Sequence, residues 1–368
     1  MTTTAEGAAP QEGRFRAGDW VEVRSKEEIL QTLDKQGRLD NMPFMPGMFA
    51  YCGRRLQVRK SAHKSCDTIN WTGGRRVSAA VHLEDVRCDG TGYDGCQAGC
   101  LIFWKDAWLK RADGPGQAPI QIKRHASTSA SPLPGGCTEE DVTAATRAPA
   151  PPDARGPVFA CQGTELYRAS EPLKWWDFRQ YVEDYRSGNE GIGRLAEGFV
   201  FASCQTIIKA AERSKIPLVR GGLVAVYDRV QALRGGRPWP RHTGNIPSGQ
   251  KTPSESLGLR VGEQVRVKSY QEILTTLDWD NKNRGLYFDA EHVPYCGGTY
   301  RVHSVVHKII EEKTGKMLNF KLPSIILDGV TCASGYSHDR MFCPRAVFPY
   351  WREIWLERVE PAPAPAAS

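Results

Sequence analysis

The amino-acid sequence predicts an α+β protein in which two homologous, mostly-β small-barrel modules flank a short helical segment. Two observations carry this prediction. The stretch that begins at Gly18 recurs from Gly262 at a constant offset of 244 residues, and 14 of the 36 positions up to Gly53 are identical in the two copies. Between the copies, apolar residues recur at helical spacing over residues 172–234. A chain of 368 residues has room for all three parts.

The opening of each copy has the alternating pattern of a half-buried strand. Val21 and Val23 alternate with polar residues, and so do Val265 and Val267. A serine then precedes a short helix in both copies, and a glutamate three residues later completes a capping box, in SKEE and in SYQE. The GDxVxV opening and the short strands resemble those of SH3-like small barrels.

The rest of each copy continues as strands and closes on paired tryptophans. Further strands are expected at Leu56–Lys60 and Ala79–Arg87, and in the second copy at Tyr300–Val306 and Ser324–Thr331. The second copy then gains three residues before FWKDAWLKR aligns with YWREIWLER. We expect the tryptophans to fill the core of each barrel, although stacking on a base or sugar is the alternative.

Composition divides the remainder of the chain, because stretches rich in Pro, Gly, Ser, Thr and Ala are typical of linkers. The predicted domains are a disordered N-terminus at 1–17, the first repeat at 18–111, a disordered linker at 112–156, the helical segment at 157–234, a second linker at 235–258, the second repeat at 259–359, and a disordered tail at 360–368.

Four potential metal ligands recur in both copies. Three thiolates and one imidazole make a closed tetrahedral zinc set, so the sequence predicts one zinc site in each repeat. The spacing contains no CxxC pair, and any one of these cysteines could instead be a small buried hydrophobe. The predicted ligands are Cys52, His63, Cys88 and Cys96 in the first repeat, and Cys296, His307, Cys332 and Cys343 in the second.

The first repeat has two further cysteines, Cys66 and Cys100, where the second repeat has isoleucine and valine. Since both are missing together, we expect them to act together in holding a cofactor. One arrangement is an all-thiolate site with Cys88 and Cys96, which would leave the other two shared ligands outside it. The alternatives are an iron–sulfur cluster in the first repeat, a redox-active dithiol, or two passive apolar residues.

Composition and motifs narrow the function classes. Charged residues make up 25% of the chain and the net charge is +7, without any block of like charge, so nucleic acid is not an expected partner. No phosphate-binding GxxxxGK[ST], dinucleotide-binding GxGxxG, HExxH or GxSxG motif is present, so no catalytic residue is predicted. We expect neither a signal peptide nor a membrane-spanning helix, because the N-terminal residues contain no apolar run and no apolar run elsewhere is long enough to cross a bilayer. We therefore expect a cytoplasmic location without a membrane partner, where cysteines stay reduced.

The strings YCG, AHKSCDT, VHLEDVRCDG and GCQAGCLIFWKDAWLKR, followed by CPRAVFPYWREIWLERV, resemble bacterial two-repeat cysteine-rich proteins of unassigned function. Genes for such proteins often lie among those for sugar-polymer or secondary-metabolite assembly. The resemblance covers both repeats and implies a bacterial origin and an accessory role beside another protein of the same pathway. It supplies no catalytic residues.

The leading hypothesis is therefore a cytosolic zinc-binding protein with tandem barrels, acting as an accessory or scaffold in a biosynthetic pathway. The first alternative is a metalloenzyme, or an iron–sulfur or redox protein, with its active site in the first repeat. The second alternative is a nucleic-acid-binding protein, which the tryptophan- and arginine-containing ends of the repeats would serve.

Overall fold

A computed structural model describes residues 14–115, 136–149, 156–213 and 217–359. These residues form a mixture of α-helices and small antiparallel sheets. No helix in these ranges has both the length and the apolar composition needed to cross a bilayer.

The elements of the first repeat, in chain order, are β1 (Trp20–Val23), α1 (Lys26–Leu30), β2 (Arg38–Leu39), β3 (Met42–Pro43), a 3-10 helix (Pro46–Tyr51), β4 (Arg55–Ser61), β5 (Lys64–Cys66), β6 (Gly74–Arg76), β7 (Ala80–Leu83), β8 (Trp104–Lys105), a 3-10 helix (Asp106–Trp108) and β9 (Leu109–Arg111). The middle of the chain contains α2 (Glu139–Ala144), β10 (Arg147–Ala148), β11 (Val158–Phe159), α3 (Gln162–Glu165), β12 (Glu171–Leu173), α4 (Arg179–Arg186), α5 (Ile192–Arg213) and α6 (Pro217–Leu233).

The second repeat follows the same plan with longer central strands. Its elements are β13 (Gln264–Val267), α7 (Tyr270–Leu274), β14 (Lys282–Asn283), β15 (Leu286–Tyr287), a 3-10 helix (Ala290–Tyr295), β16 (Thr299–Ile310), β17 (Met317–Leu327), 3-10 helices at His338–Arg340 and Glu353–Trp355, and β18 (Leu356–Arg358). The main sheets have the orders β8-β7-β4-β1-β9 in the first repeat and β17-β16-β13-β18 in the second.

The first strands of the two copies pair in equivalent register. β1 pairs with β4 and β9, which places Val21 opposite Leu56 and Arg111. β13 pairs with β16 and β18 in the same way, which places Val265 opposite Tyr300 and Arg358. Tyr300 lies 244 residues after Leu56, and Arg358 lies 247 residues after Arg111. The strands that pair with β1 and β13 therefore match in register, and the change of offset from 244 to 247 corresponds to the predicted three-residue insertion.

The paired tryptophans fill the cores of the repeats, as predicted. The Trp108 indole donates a hydrogen bond to Thr32 Oγ1 at 3.0 Å, and the Trp355 indole donates to Thr276 Oγ1 at the same distance. All four rings have an exposed fraction of 0%, which leaves no surface for stacking on a base; they are Trp104, Trp108, Trp351 and Trp355.

The linker predicted to be disordered at 112–156 contains α2 and β10, which corrects that prediction for residues 136–149. Thr138 and Asp141 form a capping box that starts α2. Cys137 and Val142 are buried against the core of the first repeat. Burial of this apolar side outweighs the low-complexity composition that predicted a linker.

The second predicted linker, 235–258, also packs. Trp239 is 2% exposed and stacks on Phe201 of α5. Ile246 forms a bridge with Asp278 of the second repeat. This stretch therefore fixes the helices to the second repeat.

Helices α4, α5 and α6 lie within residues 172–234, where helical spacing was predicted, and α4 connects the repeats. Lys64 of the first repeat donates to Asp184 of α4 at 2.6 Å. Tyr181, on the same helix, packs edge-to-face on Phe342 of the second repeat. α4 therefore lies beside the surface where the repeats meet.

The two repeats contact each other through residues at equivalent positions. The Thr68 hydroxyl donates a hydrogen bond to the Glu312 carboxylate. These two residues are 244 positions apart, so they occupy equivalent positions in the two repeats. Contact between equivalent residues is the mark of an isologous, self-complementary interface. Buried Arg345 completes this cluster through an ion pair with Glu312.

Candidate metal centre

Four cysteine side chains line one cavity in the first repeat. The cavity has a volume of about 40 Å³, whereas about 10–15 Å³ is enough for one water molecule on this kind of measure. Ile310, from the second repeat, and Arg345 contribute to the wall. The four cysteines are Cys88, Cys96, Cys100 and Cys161.

Three of the cysteines come from one glycine-rich run, CDGTGYDGCQAGC, which folds back on itself. The backbone N–H of Cys88 donates to the carbonyl of Cys100 at 2.8 Å. Gly90 has a φ of +80°, and a Cβ at this position would lie 2.3 Å from the carbonyl oxygen of Cys96. The tight turn that brings these thiols to the cavity therefore requires glycine.

The fourth cysteine comes from the middle of the chain. Cys161 is the N-cap of α3, and its backbone N–H donates to Thr164 Oγ1 at 2.9 Å. The neighbouring Gln162 side chain accepts from the Phe103 N–H at 2.8 Å and donates to the Phe103 carbonyl at 2.9 Å. These bonds attach α3 to the wall of the cavity and fix the position of Cys161.

Burial opposes ionisation of three of the cavity thiols. Desolvation raises the pKa of Cys88 to about 12 and that of Cys161 to about 11, and it raises the pKa of Cys100 as well. A thiolate in this cavity therefore needs a compensating positive charge, and a metal ion can supply it because it coordinates the deprotonated form.

The ligand set predicted for the first repeat is divided. Cys88 and Cys96 lie at the cavity, as described. Cys52 lies near α1, outside the cavity lining. His63 is buried elsewhere, with its Nε2 3.3 Å from Asp184 Oδ1. The structure thus brings together two of the four predicted ligands.

The set predicted for the second repeat is divided in the same way. Cys332 and Cys343 border the same pocket, and Cys332 lies within electrostatic range of the Cys343 thiol. Cys296 instead packs with its sulfur 3.9 Å from the carbonyl oxygen of His292. His307 is exposed on β16.

The two cysteines that occur only in the first repeat are separated. Cys100 lines the cavity, whereas Cys66, at the end of β5, lies beside the Cys343 thiol of the other repeat. In the predicted all-thiolate arrangement, Cys161 takes the place expected of Cys66. Comparison of the repeats could not identify Cys161, because it lies outside both copies and has no counterpart.

Within the described ranges, no group of three or more His, Cys, Asp or Glu side chains is arranged to hold a metal ion. The four thiols therefore border a void, and they do not enclose an ion-sized point. No protein-family model matches the chain, and no curated protein matches it.

Proposed function

We propose that the chain is a metal-binding protein whose main centre is the cavity lined by Cys88, Cys96, Cys100 and Cys161. One observation carries the proposal: cysteines from separate points of the sequence, one of them outside the repeats, line a single cavity. Four thiolates are a complete ligand set for zinc.

Zinc is the leading candidate for the metal. It favours four thiolates in tetrahedral geometry and requires no redox partner. Binding would turn the four side chains toward the middle of the cavity, where the void leaves room for a change of rotamer. Zinc held in this way would add folding free energy, since it would tie the middle of the chain to the first repeat.

An iron–sulfur cluster is the second candidate, and the void itself favours it. Such clusters are held by four cysteine thiolates and place inorganic sulfide and iron between them. The four thiols border a cavity of about 40 Å³, which leaves space between them for a cluster of several atoms. Thiols already in contact with one another would leave no such space. This candidate corresponds to a redox protein with its active site in the first repeat.

We further propose that the repeats are SH3-like small barrels that hold the centre, in an accessory protein that acts with another protein of a biosynthetic pathway. Short antiparallel strands support the barrel description, and so do the register shifts between Val58 and Lys60 in β4 and between Val302 and Ser304 in β16. Irregularities of this kind bend strands and help small sheets to curl.

Elemental analysis of the full chain, purified without added metal and without oxygen, tests the centre. We expect zinc, or iron with acid-labile sulfide and a brown colour. Cys161→Ser should remove the metal bound at the cavity, because it deletes one of the four ligands. Cys204→Ser is the matched control, since Cys204 belongs to the same helical segment but packs with Phe201 and Tyr227.

The proposal fails if the purified protein contains no metal and takes up none on titration with Zn²⁺ or on reconstitution with iron and sulfide. It also fails if Cys161→Ser retains the full metal content of the parent chain.

A further inference from the structure

A pocket of about 250 Å³ lies where four parts of the chain meet. The turn between β5 and β6 comes from the first repeat, and the 3-10 helix His338–Arg340 comes from the second. Helix α5 and the stretch 235–258 supply the rest of the wall. About 10–15 Å³ accommodates one water molecule on this measure, so the pocket admits a small molecule. It shares no lining residue with the cysteine cavity.

The turn between β5 and β6 packs directly on the second repeat. The buried carboxylate of Asp67 accepts hydrogen bonds from the Ile69 and Asn70 N–H groups at 3.0 and 2.9 Å, which fixes the path of the turn. A Cβ on Gly73 would lie 3.2 Å from the carbonyl oxygen of Asp339, so the two backbones are in close contact. One wall of the pocket therefore depends on the packing of the repeats against each other.

Three of the residues that line the pocket each have a buried polar atom without a hydrogen-bond partner among the described residues. These atoms are Gln205 Oε1, Arg241 Nε and His338 Nε2. Gln205, on α5, is only 3% exposed. Buried polar atoms are almost always paired in folded proteins, so three unpaired ones around a single pocket point to a ligand that supplies their partners.

The unpaired atoms specify what the ligand must carry. Arg241 Nε is a donor and needs an acceptor, whereas Gln205 Oε1 is an acceptor and needs a donor such as a hydroxyl group. The ring of His338 has its Nδ1 3.0 Å from Asp339 Oδ1. This hydrogen bond lowers the pKa of Asp339, so the carboxylate accepts and the ring N–H donates. His338 Nε2 therefore remains available to a ligand.

The charges around the pocket favour a phosphate group. Lys209, Arg241 and Arg340 line the pocket, and the carboxylate that also lines it, Asp339, is paired with His338. A phosphate monoester carries a charge of about −1.5 to −2 at neutral pH and three acceptor oxygens, so it matches several cations better than a singly charged carboxylate does. Guanidinium groups also bind phosphate through two parallel hydrogen bonds.

The indole of Trp71 borders the same pocket and lies outside the cores of both repeats. The residue is 66% exposed, and its φ of +58° is uncommon for a bulky side chain. The Arg340 guanidinium lies 5.4 Å from the ring centroid, which keeps the indole beside the cations. An exposed aromatic ring at the edge of a polar pocket can pack on the ring of a sugar or a base.

We infer that this pocket binds a phosphorylated small molecule that also carries hydroxyl groups and a ring. The phosphate contacts the cations, including Lys209 and Arg241, and a hydroxyl group donates to Gln205 Oε1. The ring packs on Trp71. Sugar phosphates and nucleoside monophosphates share this chemistry. The site does not depend on a metal in the cysteine cavity, because the two share no residue.

Isothermal titration calorimetry of the full chain tests the inference with glucose 6-phosphate, adenosine monophosphate, inorganic phosphate and glucose. We expect at least one of the two phosphorylated compounds to bind with a Kd below about 1 mM. Inorganic phosphate and glucose should each bind at least about tenfold more weakly, because each makes only part of the contacts. Tighter binding of glucose 6-phosphate would identify a sugar-phosphate site, and tighter binding of adenosine monophosphate would identify a nucleotide site.

Two exposed side chains of the pocket give variants that should fold. Lys209→Ala and Trp71→Ala should each weaken binding of the tighter compound by about three- to tenfold, the effect of losing one partly exposed contact. Lys321→Ala is the matched control, because this lysine is exposed on β17 outside the pocket and should leave the Kd unchanged. Circular dichroism checks that each variant is folded.

The inference is overturned if neither phosphorylated compound binds with a Kd below about 1 mM, or if inorganic phosphate binds as tightly as both. It is also overturned if folded Lys209→Ala or folded Trp71→Ala keeps the Kd of the parent chain. The metal content of these two variants should equal that of the parent chain, and Cys161→Ser should keep the parent Kd. Failure of this inference and failure of the proposed metal centre are therefore distinguishable.

Discussion

The two repeats share a framework and differ at the surface where they meet. Both pair their strands in one register and close on the same buried tryptophans. Lys64 is buried against Asp184, however, whereas its counterpart Lys308 is half-buried and donates to a backbone carbonyl. Cys66 lies beside the thiol of Cys343, whereas its counterpart in the second repeat is Ile310. Core positions therefore stay alike because each repeat must fill the same interior, and contact positions diverge because each faces a different neighbour.

Removing the equivalent core tryptophans is the most severe test of that comparison. Trp108→Ala and Trp355→Ala should each lower the free energy of unfolding by about 3–5 kcal/mol, the range for large aromatic residues deleted from a core. Urea unfolding followed by circular dichroism gives the values. Trp71→Ala is the control, since this ring is 66% exposed and should change stability by no more than about 0.5 kcal/mol. Unequal losses at the two core positions would show that the repeats are not equivalent in packing.

The two lysines should separate the repeats most clearly. Lys64→Met leaves the carboxylate of Asp184 buried without its cation, which should cost about 3–5 kcal/mol. Lys308→Met should cost about 1 kcal/mol or less, because the lost bond is a partly exposed contact with the Asp94 carbonyl. The double variant Lys64→Met with Asp184→Leu removes both partners and should regain most of the free energy of unfolding that Lys64→Met loses. Similar losses for the two single variants would contradict the comparison, as would a double variant no more stable than Lys64→Met.

The smallest effect concerns two equivalent carboxyl groups. Burial disfavours the ionised form of Glu353, but hydrogen bonds from the Leu259 and Leu257 N–H groups and the Ser256 hydroxyl outweigh it and hold its pKa below the usual value. Burial raises the pKa of its counterpart Asp106, whose Oδ1 has no hydrogen-bond partner. At neutral pH, Glu353→Gln should therefore cost about 1–2 kcal/mol, and Asp106→Asn should gain about 1 kcal/mol.

The pH dependence of these two variants follows from linkage. Glu353 has a folded-state pKa below its unfolded value, so its stabilising contribution is present above the unfolded pKa and is lost as the pH falls through the folded pKa. Asp106 has a folded-state pKa above its unfolded value, so the chain loses stability as the pH rises between the two. The difference in stability between each variant and the parent chain should therefore become smaller at acidic pH. Thermal unfolding of each variant at neutral and at acidic pH checks this, and a loss for Asp106→Asn at neutral pH would contradict it.

The framework could be predicted from sequence because the residues that set it are the identical ones. Val21 and Val265 fix the strand register, and the serine–glutamate pairs form the predicted capping boxes in both repeats. Helix α2 was not predictable from composition, since its stability depends on the burial of Val142 against the first repeat.

The grouping of the cysteines could not be predicted for a related reason. Alignment of the repeats assumes that each copy completes its own site, but contacts between the copies bring residues of both together at the cavity. Cys66 consequently lies against Cys343, which is distant in sequence, and Cys161 joins the cavity from outside both repeats. Only the three-dimensional arrangement identifies these neighbours.

The contact between Thr68 and Glu312 has a consequence for the ancestry of the chain. Contact between equivalent residues is expected in a symmetric homodimer of single repeats, because both subunits use the same surface at the interface. Gene duplication and fusion make such a dimer one molecule and replace a bimolecular association with an intramolecular one, at an effective concentration on the order of millimolar. After fusion the two halves of the interface no longer have to be identical. One repeat can therefore carry a cysteine, Cys66, at the position where the other carries Ile310.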